Sequence, residues 1–310
     1  MRIAIIGQAA FGAKTLEALL DRGEEVVGAF VPPVKPGSKP DPMMEVATVR
    51  NVPCFQPRTY KNDDTFAQYR ALSPDLCVLA FVTSIIPSRY FDAATHGGIC
   101  YHPSILPRHR GGSAINWALI MGDTRTGLTI FWPDGGIDTG PILLQKEVEI
   151  GPNDTTGSIY FNRLFPMGIE AILESVSLIK TGRAPKIPQD EAGATYEALC
   201  NDLVAGIDWK KSSREILNLI RGCDPQPGAY AFIEGEKVRF FEAAASEETT
   251  GAKPGTIVRL DGSGMRVAVE GGCLNIGKVR GTAGGKVPVL SWAEAKGAKE
   301  GDRFRDGLPG

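Results

Sequence analysis

The sequence predicts an α/β protein in which a Rossmann-like, mainly parallel sheet is followed by a small open β-barrel of the oligonucleotide-binding (OB) type. Three observations lead to this fold class. Apolar strand-length runs alternate with helical patterns in the first half of the chain, whereas the strand-length runs of the second half are separated by glycine-containing turns. The third observation is size, because 310 residues that are 43% hydrophobic suffice for about two domains.

The first half opens as strand, turn, helix and strand. A helical pattern is expected at residues 11–21 and a second near 87–95, with a proline-rich loop between them. Alternation of strands and helices implies right-handed crossovers, so the loops that follow the strands should converge at one sheet edge, where ligands bind in this fold class. The expected strands are residues 2–7, 24–31, 75–82 and 98–102, and the converging loops come after Gly7, Val82 and Tyr101.

The remaining elements complete two predicted domains, residues 1–203 and 204–310. Strands are expected at 127–132 and 142–150, followed by a helical stretch from about residue 155 to 181 that Pro166 should kink or restart. The last segment, Lys299–Gly310, is expected to be exposed to solvent. Five strand-length runs indicate the barrel, at residues 229–235, 237–243, 255–260, 265–271 and 273–279.

Charge and composition exclude several classes of function. With 34 basic and 36 acidic residues, the chain has no overall attraction for nucleic acid or for an anionic membrane. No apolar run approaches the roughly 18 residues of a membrane span or resembles a signal peptide, which predicts a cytoplasmic protein. The six cysteines form no C-x-x-C pair, so we expect reduced thiols and no metal site.

A glycine-containing turn at residues 7–15 (GQAAFGAKT) resembles a phosphate-binding loop only in part. That motif needs lysine directly after the second glycine, and Ala13 intervenes here; the dinucleotide pattern G-x-G-x-x-G is also missing. Nucleotide binding is therefore not expected. Gly7 and Gly12 are interpreted as tight-turn glycines that let a ligand approach the backbone.

Two segments carry candidate catalytic residues. The strand at 98–102 delivers His102 to its carboxyl end, and the prolines at 103 and 107 stiffen the exit, although a lone histidine there is more often structural. About 36 residues later, Asp138 lies among glycines that leave its carboxylate accessible, although aspartate and glycine also make ordinary turns. Together they supply an acid–base pair.

These segments resemble the enzymes that use 10-formyltetrahydrofolate: glycinamide ribonucleotide, methionyl-tRNA and amino-sugar formyltransferases, and the hydrolase domain of 10-formyltetrahydrofolate dehydrogenase. The family pattern is met by His102, Ser104, Ile105-Leu106-Pro107 and Arg110-Gly111, and by residues 136–142 (GIDTGPI). The second domain also resembles that of methionyl-tRNA formyltransferases, so the likeness covers nearly the whole chain. It implies an enzyme of one-carbon metabolism with the folate as substrate, tetrahydrofolate as product, and no metal.

One position departs from the transferase pattern. Formyltransferases place asparagine two residues before the histidine, where the resemblance implies a hydrogen bond to the formyl oxygen, and this chain has Cys100. A thiol is a weak hydrogen-bond donor, so stabilisation of the oxyanion from this position should be reduced. The hydrolase domain of the dehydrogenase also lacks that asparagine, and the resemblance therefore favours a hydrolase over a transferase. Cys100 is equally compatible with being a small apolar residue in a buried strand.

The expected mechanism gives each residue a role. Asp138 orients and deprotonates water or an amine, while His102 donates to the developing oxyanion and helps protonate the departing nitrogen. The resemblance implies a pterin pocket between two loops, with Arg108 and Arg110 near the site to meet the folate glutamates or to cap the loop. The expected substrate-binding residues are Phe81, Val82, Thr83, Ser84, Ile85, Ser104, Arg110, Gly111, Asp134, Gly135, Gly136 and Ile137.

Alternatives remain open for the acceptor. An amine formyltransferase could act on an amino sugar or on methionyl-tRNA, but residues 204–310 carry 16 basic and 14 acidic side chains, a weak basic excess for a tRNA partner. A non-enzymatic folate-binding module has no need of both His102 and Asp138. Further domains or subunits of a larger enzyme are a third class of partner, because the chain resembles part of a dehydrogenase.

Overall fold

The computed structural model describes residues 1–246 and 248–307. Contacts divide the chain into two compact units, each described separately below. The first consists of Met1–Gly111, Gly127–Val148 and Asn162–Tyr196; the second consists of Gly112–Thr126, Glu149–Phe161 and the chain from Glu197 onward. The boundary expected between residues 203 and 204 stays a prediction.

A seven-stranded sheet forms the centre of the first unit, in the order β3-β2-β1-β4-β5-β6-β7. The first five strands in this order pair in parallel, and β6 runs antiparallel to β5, with His102 opposite Thr129. The expected mainly parallel sheet is thereby confirmed. The strands are β1 (Arg2–Gly7), β2 (Glu25–Phe30), β3 (Cys54–Phe55), β4 (Leu76–Ala80), β5 (Gly98–His102), β6 (Arg125–Phe131) and β7 (Ile142–Glu149).

Each face of this sheet has its own hydrophobic cluster. Successive side chains of a strand point to opposite faces, so Ile3 and Ile5 join the cluster around Leu16 while Ala4 and Ile6 join the cluster around Tyr69. Both faces are therefore buried, which explains why β1 and β4 read as continuous apolar runs. The helices connected to this sheet are α1 (Ala9–Asp21), α2 (Pro42–Val49), α3 (Asp63–Ala71) and α4 (Arg89–Asp92).

The helical stretch expected at residues 155–181 is three consecutive elements. A four-residue helix α6 (Thr156–Ile159) passes into a π-helical turn (Tyr160–Leu164), and α7 (Phe165–Lys180) follows. Pro166 lies in the first turn of α7, where its missing N–H is not needed. It therefore starts a helix, one of the two outcomes that the sequence left open.

The second unit contains the antiparallel sheet that was expected after residue 204. Its strands follow the order β10-β11-β12-β9-β8, with β13 paired to β12. The strands are β8 (Tyr230–Ile233), β9 (Glu236–Ser246), β10 (Ile257–Asp261), β11 (Gly264–Val269), β12 (Gly272–Arg280) and β13 (Val287–Pro288), and the helices are α5 (Ala114–Ile120), α8 (Ser213–Gly222) and α9 (Val289–Lys296).

Residues 301–305 form backbone hydrogen bonds with both outer strands of this sheet. The expectation of a solvent-exposed final segment is wrong for Phe304 and Gly307, which are buried, whereas Gly301, Arg303 and Arg305 are exposed. Arg305 exchanges two backbone hydrogen bonds with Phe232 of β8, and the amide of Ile257 in β10 donates to the carbonyl of Asp302. Between these contacts the side chain of Phe304 is fully buried against Trp209 and Phe240. The two outer strands are thus joined in barrel fashion. Residues 308–310 lie outside the described residues.

In the part of the chain that the structure describes, no helix is long and apolar enough to cross a membrane. Within the same residues, no group of three or more histidine, cysteine, aspartate or glutamate side chains is arranged to hold a metal ion. The cytoplasmic location stays a prediction.

Candidate active site

His102 lies at the carboxyl end of β5 with only 6% of its surface exposed. Its Nε2 atom is 2.7 Å from the carbonyl oxygen of His109. Because a carbonyl can only accept, Nε2 carries the proton of this hydrogen bond. The carbonyl of His109 therefore fixes the orientation of the ring and leaves Nδ1 directed toward the site.

The turn after β5 is held by its own hydrogen bonds and by β6. Ser104 is fully buried, its hydroxyl donates to the carbonyl of Arg108 at 2.6 Å, and its carbonyl accepts from the hydroxyl of Thr129 at 2.7 Å. His109, with a left-handed φ of 56°, is anchored by its amide to the hydroxyl of Thr195 at 2.8 Å. The serine expected to bind substrate thus has its hydroxyl occupied within the turn.

Asp138 faces His102 across the site. Its Oδ2 atom is 3.4 Å from Nδ1 of His102 and accepts a hydrogen bond from the amide of Gly111 at 2.7 Å. The aspartate adopts a left-handed φ of 56°, a conformation that is uncommon for a residue other than glycine. His102 and Asp138, which are 36 residues apart in the sequence, therefore lie side by side in the structure.

A buried arginine and a glutamine, Gln189, connect this aspartate to a surface carboxylate. Arg110, 1% exposed, donates to Gln189 at 2.8 Å, to Glu191 at 2.6 Å and to the hydroxyl of Tyr196 at 2.6 Å. The side-chain amide of Gln189 in turn donates to the backbone carbonyls of Asp138 at 2.8 Å and Gly140 at 2.7 Å. Beside the guanidinium, the pKa of the Glu191 carboxyl is lowered.

This network corrects one expectation and adds three residues. Arg110 was expected to bind substrate or to cap the loop, and its guanidinium donates to protein groups instead of facing a free surface. Gln189, Glu191 and Tyr196 were not identified from the sequence, since they lie about 80 residues from Arg110 and no local pattern marks them. The one available signal was that a buried guanidinium needs an acidic partner.

Cys100 lies on β5, two residues before His102, and is partly buried. Desolvation raises the pKa of its thiol well above the ordinary value, and the nearby Asp138 carboxylate adds to the shift. The group is consequently a neutral thiol near neutral pH. It contributes a small, weakly polar side chain to the wall of the site.

The loop at residues 134–137 is exposed beside Asp138. Asp134 accepts hydrogen bonds from the amide of Gly136 at 3.0 Å and from the hydroxyl of Thr139 at 2.6 Å, which closes a tight turn. A Cβ at Gly136 would overlap the side chain of Thr139, whereas one at Gly135 would meet no atom within 4 Å. Ile137 leaves 58% of its surface exposed. The loop thus has an internally fixed turn and a free outer surface.

Residues 81–85 line a cleft of about 610 Å³ at the carboxyl edge of the sheet. Phe81 follows β4 with a left-handed φ of 61°, and 40% of its surface is exposed. The hydroxyl of Thr83 accepts a hydrogen bond from Gln8 at 3.4 Å, whereas Ile85 projects into solvent. The expected pterin residues therefore form one exposed loop after a buried strand.

The glycines of the first turn serve protein packing more than ligand approach. A Cβ on Gly7 would lie 2.3 Å from the carbonyl oxygen of Ala80, and one on Gly12 would lie 2.8 Å from the sulfur of Met43. The first amide of α1, that of Ala9, donates to the carboxylate of Asp41. A carboxylate of the chain itself therefore occupies the position that a phosphate would take in a phosphate-binding loop.

The geometry suits acyl-type chemistry at a carbonyl carbon. The second carboxylate oxygen of Asp138, Oδ1, accepts no hydrogen bond from the described residues and is available to a nucleophile. Nδ1 of His102 lies 3.4 Å from Oδ2 of Asp138, whereas a strong charged hydrogen bond measures about 2.7–2.9 Å. Because this contact is long, a substrate oxygen can compete for the nitrogen. One base and one oxyanion donor thus face the same space.

Both halves of the chain match family models. A model described as formyl transferase covers residues 1–176, and one described as formyl transferase, C-terminal domain, covers residues 204–297.

Two curated relatives differ in how much of their length is matched. The mitochondrial 10-formyltetrahydrofolate dehydrogenase of Homo sapiens is 46% identical over 246 residues, which is 78% of this chain and 26% of that protein. The methionyl-tRNA formyltransferase of Alkaliphilus oremlandii (strain OhILAs) is 32% identical over 307 residues, 97% of this chain and 99% of that protein. The chain spans about a quarter of the length of the dehydrogenases it matches.

Solved structures share the fold. HypX from Aquifex aeolicus in complex with tetrahydrofolic acid superposes with a TM-score of 0.69 at 21% identity, covering 97% of this chain and 48% of that one. An N-formyltransferase from Helicobacter canadensis gives a TM-score of 0.67 at 18% identity, covering 88% of this chain and 98% of that one.

Proposed function

The chain belongs to the formyl transferase family, and from that premise we propose that it removes the formyl group of 10-formyltetrahydrofolate with water as the acceptor. The observation that carries this proposal is the meeting of His102 and Asp138, with Nδ1 and Oδ2 3.4 Å apart. An exposed loop after β4 lies at the same sheet edge, as a folate pocket requires. The products would be tetrahydrofolate and formate.

The proposed reaction begins with water. Oδ1 of Asp138 accepts a proton from a water molecule, whose oxygen attacks the formyl carbon. In this step the His102 ring carries a proton on both nitrogens: Nε2–H stays bound to the carbonyl of His109, and Nδ1–H donates to the oxygen that becomes negative in the tetrahedral intermediate. When the intermediate collapses, the bond between carbon and N10 breaks, N10 takes the proton from Asp138, and formic acid departs. It ionises to formate by releasing its remaining proton to solvent, which leaves Asp138 ionised for the next cycle.

Pterin binding is proposed for two exposed loops, residues 81–85 and 134–137. Their backbone groups would bond to the ring edge, and Phe81 and Ile85 would supply apolar walls. We assign Ser104, Arg110 and Gly111 to positioning, because their polar groups bond to the turn, to Gln189 and Glu191, and to Asp138.

Water is preferred as acceptor because of Cys100. A neutral thiol is a weak donor where transferases have an asparagine, and the dehydrogenase of Homo sapiens is 46% identical to this chain. That relative is much longer, so its complete activity is not carried over.

Transfer to an amine is the second candidate function. It is favoured by the methionyl-tRNA formyltransferase of Alkaliphilus oremlandii, which aligns with this chain over almost the whole length of both proteins. A tRNA or an amino sugar would then replace water, and the same aspartate would deprotonate the amine.

One incubation separates these functions. The protein is mixed with 10-formyltetrahydrofolate without any amine, and formate and tetrahydrofolate are followed with time. Stoichiometric release of both supports hydrolysis. Release of tetrahydrofolate only after an amine is added supports transfer, and failure of both reactions contradicts the assignment of His102 and Asp138.

A further inference from the structure

The cleft of about 610 Å³ is built by the loops after four neighbouring parallel strands. Gly7 and Gln8 follow β1, residues 32–35 follow β2, residues 57–61 follow β3, and residues 81–85 follow β4. The strand order reverses direction between β1 and β4, and ligands of doubly wound sheets bind in the crevice at such a switch point. The cleft therefore lies where this fold class binds ligands.

The charge of the cleft is one-sided. Lys35, Arg58 and Lys61 line it, and none of its lining residues is acidic. The remaining lining includes the polar side chains of Thr59, Thr83 and Ser84 and the exposed ring of Phe81. Low-dielectric walls around charges of one sign concentrate the field and attract the opposite charge.

In the part of the chain that the structure describes, these three cations have no acidic partner, a property that Arg22 and Arg70 of the same unit share, but only the three line one cleft together. Among the described residues, no carboxylate forms an ion pair with Lys35, Arg58 or Lys61. Elsewhere in the unit a carboxylate lies within 4.0 Å of Arg2, Lys14, Arg50, Arg89, Arg110, Lys146 and Lys180.

A phosphate-binding helix end does not account for the cleft. The first amide of α1 is occupied by Asp41, so the anion would be bound by side chains and not by the turn. Lysine and arginine at the rim can both donate charge-assisted hydrogen bonds to oxygen anions. Three such donors at one cleft suit a group with more than one negative charge.

We propose that Lys35, Arg58 and Lys61 bind a multiply charged oxygen anion that belongs to a substrate of the neighbouring site. This inference rests on the proposed function, since it names the substrate chemistry of that site. The anion has two possible sources: the carboxylates of a folate with several glutamates, or a phosphate carried by a second substrate. The first source is compatible with water as acceptor, and the second requires a phosphate-bearing acceptor.

The test compares three full-length proteins by isothermal titration calorimetry. They are the unchanged chain, the cleft variant K35Q/R58Q/K61Q, and the control variant R22Q/R70Q/K210Q, which loses the same net charge. Arg22 ends α1 and Arg70 lies in the last turn of α3, next to the segments that lead into β2 and β4 at the opposite sheet edge, and Lys210 lies in the second unit. The probes are inorganic pyrophosphate, tetrahydrofolate with one glutamate, and tetrahydrofolate with five. Circular dichroism verifies that all three proteins are folded.

The expected result is that the cleft variant binds at least one anionic probe about tenfold more weakly or worse, while the control variant matches the unchanged chain. Weaker binding of the pentaglutamate form with unchanged binding of the monoglutamate form identifies the folate tail. Loss of pyrophosphate binding with both folates unchanged identifies a phosphate of a second substrate.

Two outcomes overturn the proposal. One is equal affinity of all three proteins for every probe, including no binding of pyrophosphate by any of them. The other is an equal loss in the cleft and control variants, which would be a general effect of net charge. Because no probe carries a formyl group, these results are independent of whether the protein releases formate.

Discussion

The turn that carries His102 and the cleft loops after β1 to β4 lie at the same sheet edge but are built differently. Around His102 and Asp138 the polar groups bond to protein: the His109 carbonyl, the Gly111 amide and the Gln189 amide each fix one atom of the pair or its backbone. In the cleft, three cations have no acidic partner and Phe81 is 40% exposed. The proposed catalytic pair is therefore held by protein groups before any ligand binds, whereas the cleft leaves its three cations without acidic partners among the described residues and the ring of Phe81 exposed.

The largest effect is expected from the catalytic pair. Asp138→Asn keeps the size of the side chain but removes the base, and His102→Ala removes the oxyanion donor, so formate release should fall about 10²–10⁴-fold in each variant. The measurement is kcat with 10-formyltetrahydrofolate. Asp92→Asn, on α4, is the control and should be unchanged; near-normal turnover in Asp138→Asn or His102→Ala would remove that residue from the mechanism.

A smaller loss is expected when the support of Asp138 is removed. Gln189→Ala deletes the two hydrogen bonds to the carbonyls of Asp138 and Gly140 and one acceptor of Arg110, so kcat should fall about tenfold or more while KM changes little. The free energy of unfolding should fall by about 1–3 kcal/mol. Gln68→Ala, on the exposed face of α3, is the matched control. A rise in KM alone would place Gln189 in binding.

Substitutions in the cleft should change KM and leave kcat unchanged, the opposite of what is expected for Gln189→Ala. Phe81→Ala removes an exposed apolar side chain from the wall of the cleft, away from the hydrogen bonds that hold His102 and Asp138. The KM for the folate should therefore rise about tenfold, while kcat stays near normal. Val49→Ala, another exposed apolar residue, is the control. If kcat falls with KM unchanged, the division between a fixed site and an adaptable cleft is wrong.

The smallest effect is expected at Cys100. Cys100→Ala should change formate release by less than about threefold, because a neutral thiol stabilises an oxyanion weakly. The raised pKa also predicts that the activity of the unchanged chain has no inflection at the ordinary thiol pKa. The profile of kcat against pH for both proteins tests this, and a thiol-dependent rise above neutral pH would show that the thiolate takes part.

The same thiol affects stability in alkali. Burial raises its pKa in the folded state, so as pH rises past the ordinary thiol value only the unfolded chain releases the proton. The contribution of this thiol to the free energy of unfolding is therefore complete below that value and declines above it.

Local patterns predicted most strands of the first sheet and singled out His102 and Asp138, which lie together, but they did not predict the groups that hold the two residues. The catalytic role of the pair stays a prediction. Buried strands such as β1 and β4 are evident from composition, and parallel order brings the ends of β4 and β5 together, so His102 was expected at the ligand edge. The short helices α2, α3 and α9 were not predicted. Their 8–9 residues offer little periodicity, although Asp41 and Asn62 cap the first two.

The partners of Arg110 illustrate the limit of sequence reasoning. From the sequence alone, an arginine such as Arg110, which follows a proline-containing turn, is equally compatible with a contact to a ligand and with a structural role. Its burial depends on Gln189 and Glu191, which the fold brings from about 80 residues away. Only tertiary geometry decides between an arginine that faces substrate and one that faces the protein.

Residues 301–305 cover the outer strands of the second unit, and we expect this cover to oppose aggregation. The outer strands β8 and β10 would otherwise present unpaired amides and carbonyls, which template pairing between molecules. One short segment bonds to both, through Phe232 and Ile257, and inserts Phe304 between them. We therefore expect a chain that lacks this segment to aggregate during refolding. Its proposed catalytic residues would still be present, since they lie in the other unit.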